Sequence, residues 1–273
     1  MAYKVLDVYR DLPRTNCGEC GKGSCFAFAS AVYLEGAEPA LCPHLTPDRR
    51  AEMEVKLRGA GAEEGARRPP KAEQALAFLR RKMAETDLAE AARRCGGTYD
   101  PGPPEAIRVD FLGAPHRLTR QEVVAEAGPE PTVWVKIFLF LYATRATGAP
   151  AAGRWAAYRE LPATVSKAKT FEGVVGRVAE AFSGRLGRLD AAARGLGGRR
   201  TEFGSAERAY ELPALPRVRL LLLFWDRDEE FPARATLLVD RGVLDYLDQE
   251  ALVFLAEAVV ARLLGRDLAE VIP

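Results

Sequence analysis

The 273-residue sequence lacks both an excess of charge of one sign and any long apolar run. It carries 39 basic and 38 acidic side chains, a formal net charge of +1. General nucleic-acid-binding proteins normally show a strong basic excess, so no nucleic-acid partner is expected. No apolar run reaches ~18 residues, which predicts that no segment spans a membrane. The first residues also lack the apolar stretch of a signal peptide, so a cytoplasmic location is expected.

The sequence also shows no pattern of a disulfide-bonded framework and none of the common catalytic motifs. The five cysteines are an odd number, which excludes complete disulfide pairing, and disulfides are rare in the cytoplasm. The spacing of polar residues suggests no Ser/His/Asp set. The glycine-rich stretch 195–198 follows a predicted helix rather than a strand, so it does not fit a dinucleotide-binding loop.

What is present is a group of four cysteines with the spacing C-x2-C-x4-C-x16-C, namely Cys17, Cys20, Cys25 and Cys42. Four thiolates are the usual ligand set of an iron–sulfur cluster. A loop that wraps a cluster needs unusual backbone angles and close approach of main-chain N–H groups to sulfur, which glycine permits. Glycines occupy positions 18, 21 and 23. We therefore predict that these cysteines bind one [4Fe-4S] cluster.

A short helix is predicted to begin near Cys25, with Ser24 as its N-cap. On that helix, residues at helical spacing from Cys25 share one apolar face: Phe28, Ala29, Val32 and Gly36. The positive end of the helix dipole favours a bound anionic cluster. An apolar wall beside the third cysteine slows solvent access and tunes the potential of the cluster. Gly36 is expected to let the chain turn back, so that Cys42 returns to the other three cysteines.

The stretch 12–29, together with Cys42-Pro43-His44-Leu45, resembles the four-cysteine [4Fe-4S] domain of the corrinoid iron–sulfur protein large subunit and related domains of electron-transport subunits. The resemblance covers about a fifth of the chain. It implies that Cys17, Cys20, Cys25 and Cys42 ligate one low-potential [4Fe-4S] cluster whose role is electron transfer. The corrinoid-binding barrel of that family is not expected here, because residues 71–273 show no repeated strand–helix pattern.

Two other uses of the cysteines, a zinc site and a redox-active pair, fit the sequence less well. Four cysteines can bind zinc tetrahedrally, but structural zinc sites usually contain two C-x2-C pairs, and this chain has one. A redox-active C-x2-C pair would be expected in a βαβ context, which does not follow Cys20. The fifth cysteine, Cys95, is interpreted as a buried or half-buried free thiol. His44 is either a hydrogen-bond donor near a cluster sulfur or a surface or capping residue, and His116 is interpreted as structural.

Three regions are predicted along the chain: a cluster-binding module at 1–57, a flexible linker at 58–70 and an α+β domain at 71–273. The linker is small, charged and proline-ended. In the third region, helices are packed on one small antiparallel sheet. The expected elements are helices at 72–94 (broken at 86–87), 132–147, 171–196 and 249–264, a hairpin at 107–118 and strands at 217–225 and 235–240.

The third region also resembles, over about residues 75–264, an uncharacterised domain family that often follows this module in anaerobic bacteria and archaea. The resemblance is carried by 153–162, Leu223-Phe224-Trp225 and Glu230-Phe231-Pro232-Ala233. It implies a domain of unknown activity.

Three functions remain open from the sequence. The first is single-electron transfer to a redox partner protein, linked by resemblance to corrinoid or one-carbon metabolism, with a corrinoid protein as a candidate partner. The second is an enzyme whose C-terminal domain binds a substrate or cofactor in a concave site lined by several of Trp155, Tyr158, Arg159 and Trp225. The third is an interaction or sensor protein with a structural cluster. No catalytic residue is assigned.

Overall fold

The computed structural model describes residues 3–63 and 71–271. The chain divides into two compact units, Met1–Gln74 and Ala75–Pro273, each with its own apolar core. The predicted α+β class is confirmed, since a small helical module is followed by helices and antiparallel sheets. Within the described stretches, no helix combines the length and the apolar character that crossing a bilayer requires.

The first unit is built from short helices. They are α1 (Val5–Asp11), α2 (Cys25–Ser30), a π-helical turn (Ala31–Glu35), a 3-10 turn (Pro39–Leu41) and α3 (Pro47–Glu63). Residues 58–63, placed in the linker by the sequence analysis, continue α3 instead. This segment contains alanines and a glutamate that favour helix, and the first proline that could stop it comes only at 69. The remainder of the predicted linker, 64–70, lies outside the described residues.

The core of the first unit joins α1, α2 and α3. Val8 lies on α1, Leu12 directly follows that helix, and Met53 lies on α3. Four of the five positions on the face predicted from helical spacing are buried, namely Cys25, Phe28, Ala29 and Val32, whereas Gly36 is exposed. The π-helical turn ends at Gly36, whose left-handed φ of 72° reverses the chain as predicted.

Among its described residues, the second unit contains most of α4 and six further α-helices. They are α4 (Lys71–Glu85), α5 (Leu88–Cys95), α6 (Val133–Arg145), α7 (Val165–Phe182), α8 (Leu186–Gly195), α9 (Gln249–Leu263) and α10 (Leu268–Val271). The predicted break at 86–87 is confirmed, because the Asp87 side chain accepts a hydrogen bond from the Glu90 N–H and caps α5. Thr132 caps α6 in the same way.

A four-stranded antiparallel sheet follows α5, with strands in chain order. Its strands are β1 (Thr98–Asp100), β2 (Ala106–Phe111), β3 (Ala114–Leu118) and β4 (Val123–Ala125). The predicted hairpin is β2–β3. Its two-residue turn has φ of 50° at Leu112 and 76° at Gly113, and this pair of positive angles matches the twist of the flanking strands.

The other sheet of the second unit is five-stranded and antiparallel, in the order β5-β9-β8-β7-β6. Its strands are β5 (Trp155–Ala157), β6 (Arg199–Thr201), β7 (Arg208–Leu215), β8 (Val218–Trp225) and β9 (Arg234–Asp240). The sequence predicted one small sheet, and this prediction was wrong, because the structure contains two. The central strand β8 is almost continuously apolar because both of its faces are covered: Leu220 and Leu222 join the main core, while Leu221 and Leu223 form a separate cluster. Helices α7 and α9 pack together, and α7 packs on β9.

Candidate metal centre

The first three cysteines lie on a loop whose shape depends on glycine. Gly18 and Gly21 have φ of 78° and 77°, in the left-handed region that side chains rarely adopt. The Gly21 N–H donates to the Gly18 carbonyl at 2.9 Å, which closes the turn around Cys20. Gly23, which the sequence analysis grouped with these two glycines, has no such backbone angle.

Cys25 is held at the start of α2 by two neighbours. As predicted, Ser24 is the N-cap, and its hydroxyl accepts from the Ala27 N–H at 3.1 Å. The Asn16 side chain was not predicted to take part, yet its Oδ1 accepts from the Cys25 N–H at 2.8 Å. In return the Asn16 N–H donates to the Cys25 sulfur at 3.3 Å. Asn16 has φ of 51°, an angle that asparagine tolerates better than most residues.

Cys42 is positioned by the 3-10 turn before it. Its N–H donates to the Pro39 carbonyl, and its own carbonyl accepts from the Leu45 N–H, both at 3.2 Å. Cys42 and Cys25 are both buried members of the first unit's apolar core, and Cys20 packs against that core. The fold thus places three of the four cysteines in one apolar cluster.

Cys17 is the exposed member of the set. The Glu19 backbone N–H and the Thr15 hydroxyl hydrogen-bond to its sulfur and hold the pKa of the thiol below its usual range. Such donors stabilise the thiolate, the form that binds metals. Cys17 is therefore suited to ligation by its hydrogen bonds rather than by burial.

His44 links the Cys17 loop to the Cys42 segment. Its Nε2 lies 3.1 Å from Glu19 Oε2, although the two residues are 25 positions apart. The hydrogen bond that the imidazole donates to this carboxylate raises the pKa of His44. The Cys17 sulfur and one ligand atom each of Glu19 and His44 all lie within 4.8 Å of one another. His44, left open as a donor near a cluster sulfur or as a surface or capping residue, is exposed and lies beside both the Glu19 carboxylate and the Cys17 sulfur.

The aromatic and arginine positions singled out in the second unit do not share one concave site. Trp155 pairs with Asp240 at one end of β9, and Trp225 pairs with Arg234 at the other. Six residue steps along the strand separate these partners, about 20 Å. Both tryptophans pack against the separate cluster on one face of the five-stranded sheet.

The other two positions lie elsewhere. Tyr158 is buried in the main core, stacked on Phe171 at 4.4 Å between ring centroids, and its hydroxyl donates to the Gln249 carbonyl. Arg159 is exposed and paired with Glu172. The sequence predicted a concave site lined by several of Trp155, Tyr158, Arg159 and Trp225. These four residues do not line one common site.

The remaining single residues have structural surroundings. Cys95 is fully buried, as interpreted from the sequence, and burial raises the pKa of its thiol. His116 is buried on β3 with its Nδ1 2.8 Å from the Ala114 carbonyl oxygen, and burial lowers its pKa. In the acidic loop after β8, Asp228 accepts hydrogen bonds from the N–H groups of Glu230 and Phe231, which makes it a turn residue.

Comparison with known proteins gives two family matches. A family described as "Putative Fe-S cluster" matches residues 12–44, the stretch that contains all four cysteines. The gamma subunit of the acetyl-CoA decarbonylase/synthase complex of Methanothermobacter thermautotrophicus is 42% identical over 57 residues, 21% of this chain and 12% of that protein. The corrinoid/iron-sulfur protein large subunit of Moorella thermoacetica is 37% identical over 50 residues, 18% of this chain and 11% of that protein.

The chain thus spans only about an eighth of the length of the curated relatives it matches. No solved structure matches the chain. The second family match covers residues 87–262, which is more than half of the chain and includes every strand of both sheets. The chain therefore belongs to the family described as "Domain of unknown function (DUF3786)", preceded here by an iron–sulfur cluster-binding region.

Proposed function

We propose that the first unit holds one [4Fe-4S] cluster through Cys17, Cys20, Cys25 and Cys42, and that the chain transfers single electrons to a partner protein. The observation that carries the proposal is the common apolar core that contains Cys25 and Cys42 and against which Cys20 packs. When bound, such a cluster supplies one-electron chemistry. The second unit, 75–273, would then recognise the partner or a ligand.

The donor set supports a cluster over a single zinc ion. In a tetrahedral zinc site with Zn–S of about 2.3 Å, the sulfurs lie about 3.8 Å apart. Among the residues that the structure describes, the one group of three or more ligand atoms within 4.8 Å of one another is Cys17, Glu19 and His44. The sulfurs of Cys20, Cys25 and Cys42 therefore do not all lie within 4.8 Å of one another.

The surroundings of the cysteines also suit electron transfer. The apolar core excludes water from two ligand positions, and the Asn16 N–H points at the Cys25 sulfur, where it would offset negative charge. On the outside, Phe26 and Leu41, which adjoin the two buried cysteines in sequence, are 49% and 55% exposed. Exposed apolar side chains next to the ligands give a partner protein a place to approach the centre closely.

The relatives suggest the metabolic setting. They are named as subunits of the acetyl-CoA decarbonylase/synthase complex and of the corrinoid/iron-sulfur protein. We infer that the partner belongs to one-carbon metabolism, with a corrinoid protein as the leading candidate.

The test is anaerobic purification of the full chain with iron, acid-labile sulfide and zinc analysis. About four irons and four sulfides per chain are expected. Cys25→Ser and Cys42→Ser should lose most of both, whereas Cys95→Ala, a change in the other unit, should keep them. Stoichiometric zinc without sulfide would refute the cluster.

Electron transfer is tested on the purified holoprotein by dithionite titration followed by EPR. The expected result is a reduced-cluster signal that disappears on reoxidation, with the amide exchange of the first unit unchanged through the cycle. A centre that cannot be reduced without unfolding of this unit would instead support the structural-cluster alternative.

A further inference from the structure

The exposed group formed by Cys17, Glu19 and His44 is a candidate metal site in its own right. We propose that, when no cluster is bound, these three residues hold one divalent ion of the Fe²⁺, Co²⁺ and Zn²⁺ class. They supply one thiolate sulfur, one carboxylate oxygen and one imidazole nitrogen. This mixture suits borderline first-row ions, whereas Mg²⁺ and Ca²⁺ prefer oxygen ligands alone.

The geometry needs little adjustment to close on an ion. Glu19 Oε2 and His44 Nε2 are 3.1 Å apart, and all three ligand atoms lie within 4.8 Å of one another. Metal–ligand distances of about 2.0–2.3 Å place neighbouring donors of a tetrahedral site about 3.5 Å apart. All three residues are exposed, so their side chains are free to rotate by the small amount required. The fourth position would be open to water.

The site would connect two segments that are distant in sequence. Cys17 and Glu19 flank Gly18 on the first loop, and His44 lies two residues after Cys42. An ion held by all three would fix the Cys42 segment beside the loop that carries the other cysteines. The further consequence rests on the proposed function: Cys17 cannot serve both centres, so the single ion and the cluster would exclude each other.

The test uses Co²⁺ as the probe on the full-length chain with Cys20→Ser, Cys25→Ser and Cys42→Ser combined. This variant keeps Cys17 and the fully buried Cys95. Under anaerobic conditions, Co²⁺ should give one thiolate charge-transfer band that saturates at one ion per chain. Adding His44→Gln or Glu19→Gln should weaken binding by about tenfold or more. Like Glu19→Gln, the control variant Glu38→Gln removes one carboxylate charge, but at an exposed position outside the group. It should leave the Co²⁺ affinity unchanged.

Absence of the band, or equal Co²⁺ affinity with and without His44→Gln, would overturn the proposal. If the triple variant does not fold, the single Cys20→Ser variant gives a second measurement, ¹⁵N NMR of the imidazoles during addition of one equivalent of Zn²⁺. The chain has two histidines, so buried His116 serves as the internal reference. A metal-induced shift of His44 Nε2 alone is expected, and an unshifted His44 would refute the site.

The two proposals fail separately. The cluster is judged by iron and sulfide in the wild-type chain, and the single-ion site is judged by Co²⁺ or Zn²⁺ binding in chains that cannot complete the four-cysteine set.

Discussion

Asn16 offers the sharpest test of how the cysteine loop is held. Its side chain accepts from the Cys25 N–H at 2.8 Å, and its backbone has a left-handed φ of 51°. Asn16→Ala removes the acceptor and places alanine at an unfavourable backbone angle. The lost hydrogen bond costs about 1 kcal/mol, and the left-handed angle costs alanine about 1 kcal/mol more. We expect the first unit to lose about 2 kcal/mol.

The assay is amide hydrogen exchange of the cluster-free, reduced chain under anaerobic conditions. The Phe28 N–H, which donates to the Ser24 carbonyl at 3.0 Å inside α2, reports the opening of this unit. A loss of about 2 kcal/mol corresponds to roughly 30-fold faster exchange. The Leu222 amide on β8 belongs to the other unit and should not change.

Asn16→Gly separates the two contributions. Glycine adopts the left-handed angle without strain but has no acceptor, so we expect about 1 kcal/mol less destabilisation than in Asn16→Ala. A Phe28 amide exchange rate in Asn16→Ala within twofold of wild type, or equal destabilisation by glycine and by alanine, would refute this role of Asn16.

Two further predictions concern the second unit, which contains all three tryptophans and can be followed by their fluorescence during urea denaturation. A Cβ at Gly198 would lie 2.6 Å from the Ala193 carbonyl oxygen and 2.7 Å from Leu212 Cδ2, so Gly198→Ala should destabilise by about 2 kcal/mol. At Gly195 a Cβ meets nothing within 4 Å, so Gly195→Ala should be neutral or stabilise by up to ~1 kcal/mol; equal effects of the two changes would contradict the packing argument. Burial lowers the pKa of His116, so below pH about 6.5 the unfolded chain binds a proton that the folded chain resists, and stability should fall from pH 7 to pH 5. His116→Gln should show a shallower fall over this range, and an unchanged slope would show that other groups cause it.

Some of the elements that the sequence predicted carry long apolar runs. Helices α6 and α9 and strands β8 and β9 each carry a run that is apolar enough to identify alone. Four of the missed strands, β1, β4, β5 and β6, have three residues each, too few to show a period of two. Strand β7 was missed for another reason, since Pro213 argues against a central strand. The structure accommodates this proline with a register shift between Pro213 and Leu215.

The candidate site was only partly predictable for a similar reason. The spacing of the cysteines and the Ser24 cap are local features of the sequence. The bonds of Asn16 to Cys25 and of Glu19 to His44 join residues 9 and 25 positions apart, so no local pattern indicates them. The one usable signal was the residue type of Asn16, because asparagine is among the few side chains that accept a left-handed backbone.

The graded burial of the five cysteines has a practical consequence for chemical labelling. Cys17 is exposed, Cys20 is half-buried, Cys25 and Cys42 are 8% and 6% exposed, and Cys95 is at 0%. Reagents that alkylate thiols should therefore modify the cysteines of the cluster-free chain in that order. Labelling of each more buried cysteine requires a larger structural opening. Because Cys95 belongs to the other unit, its alkylation reports the unfolding of that unit separately, and both units can be followed in the same mass spectrum.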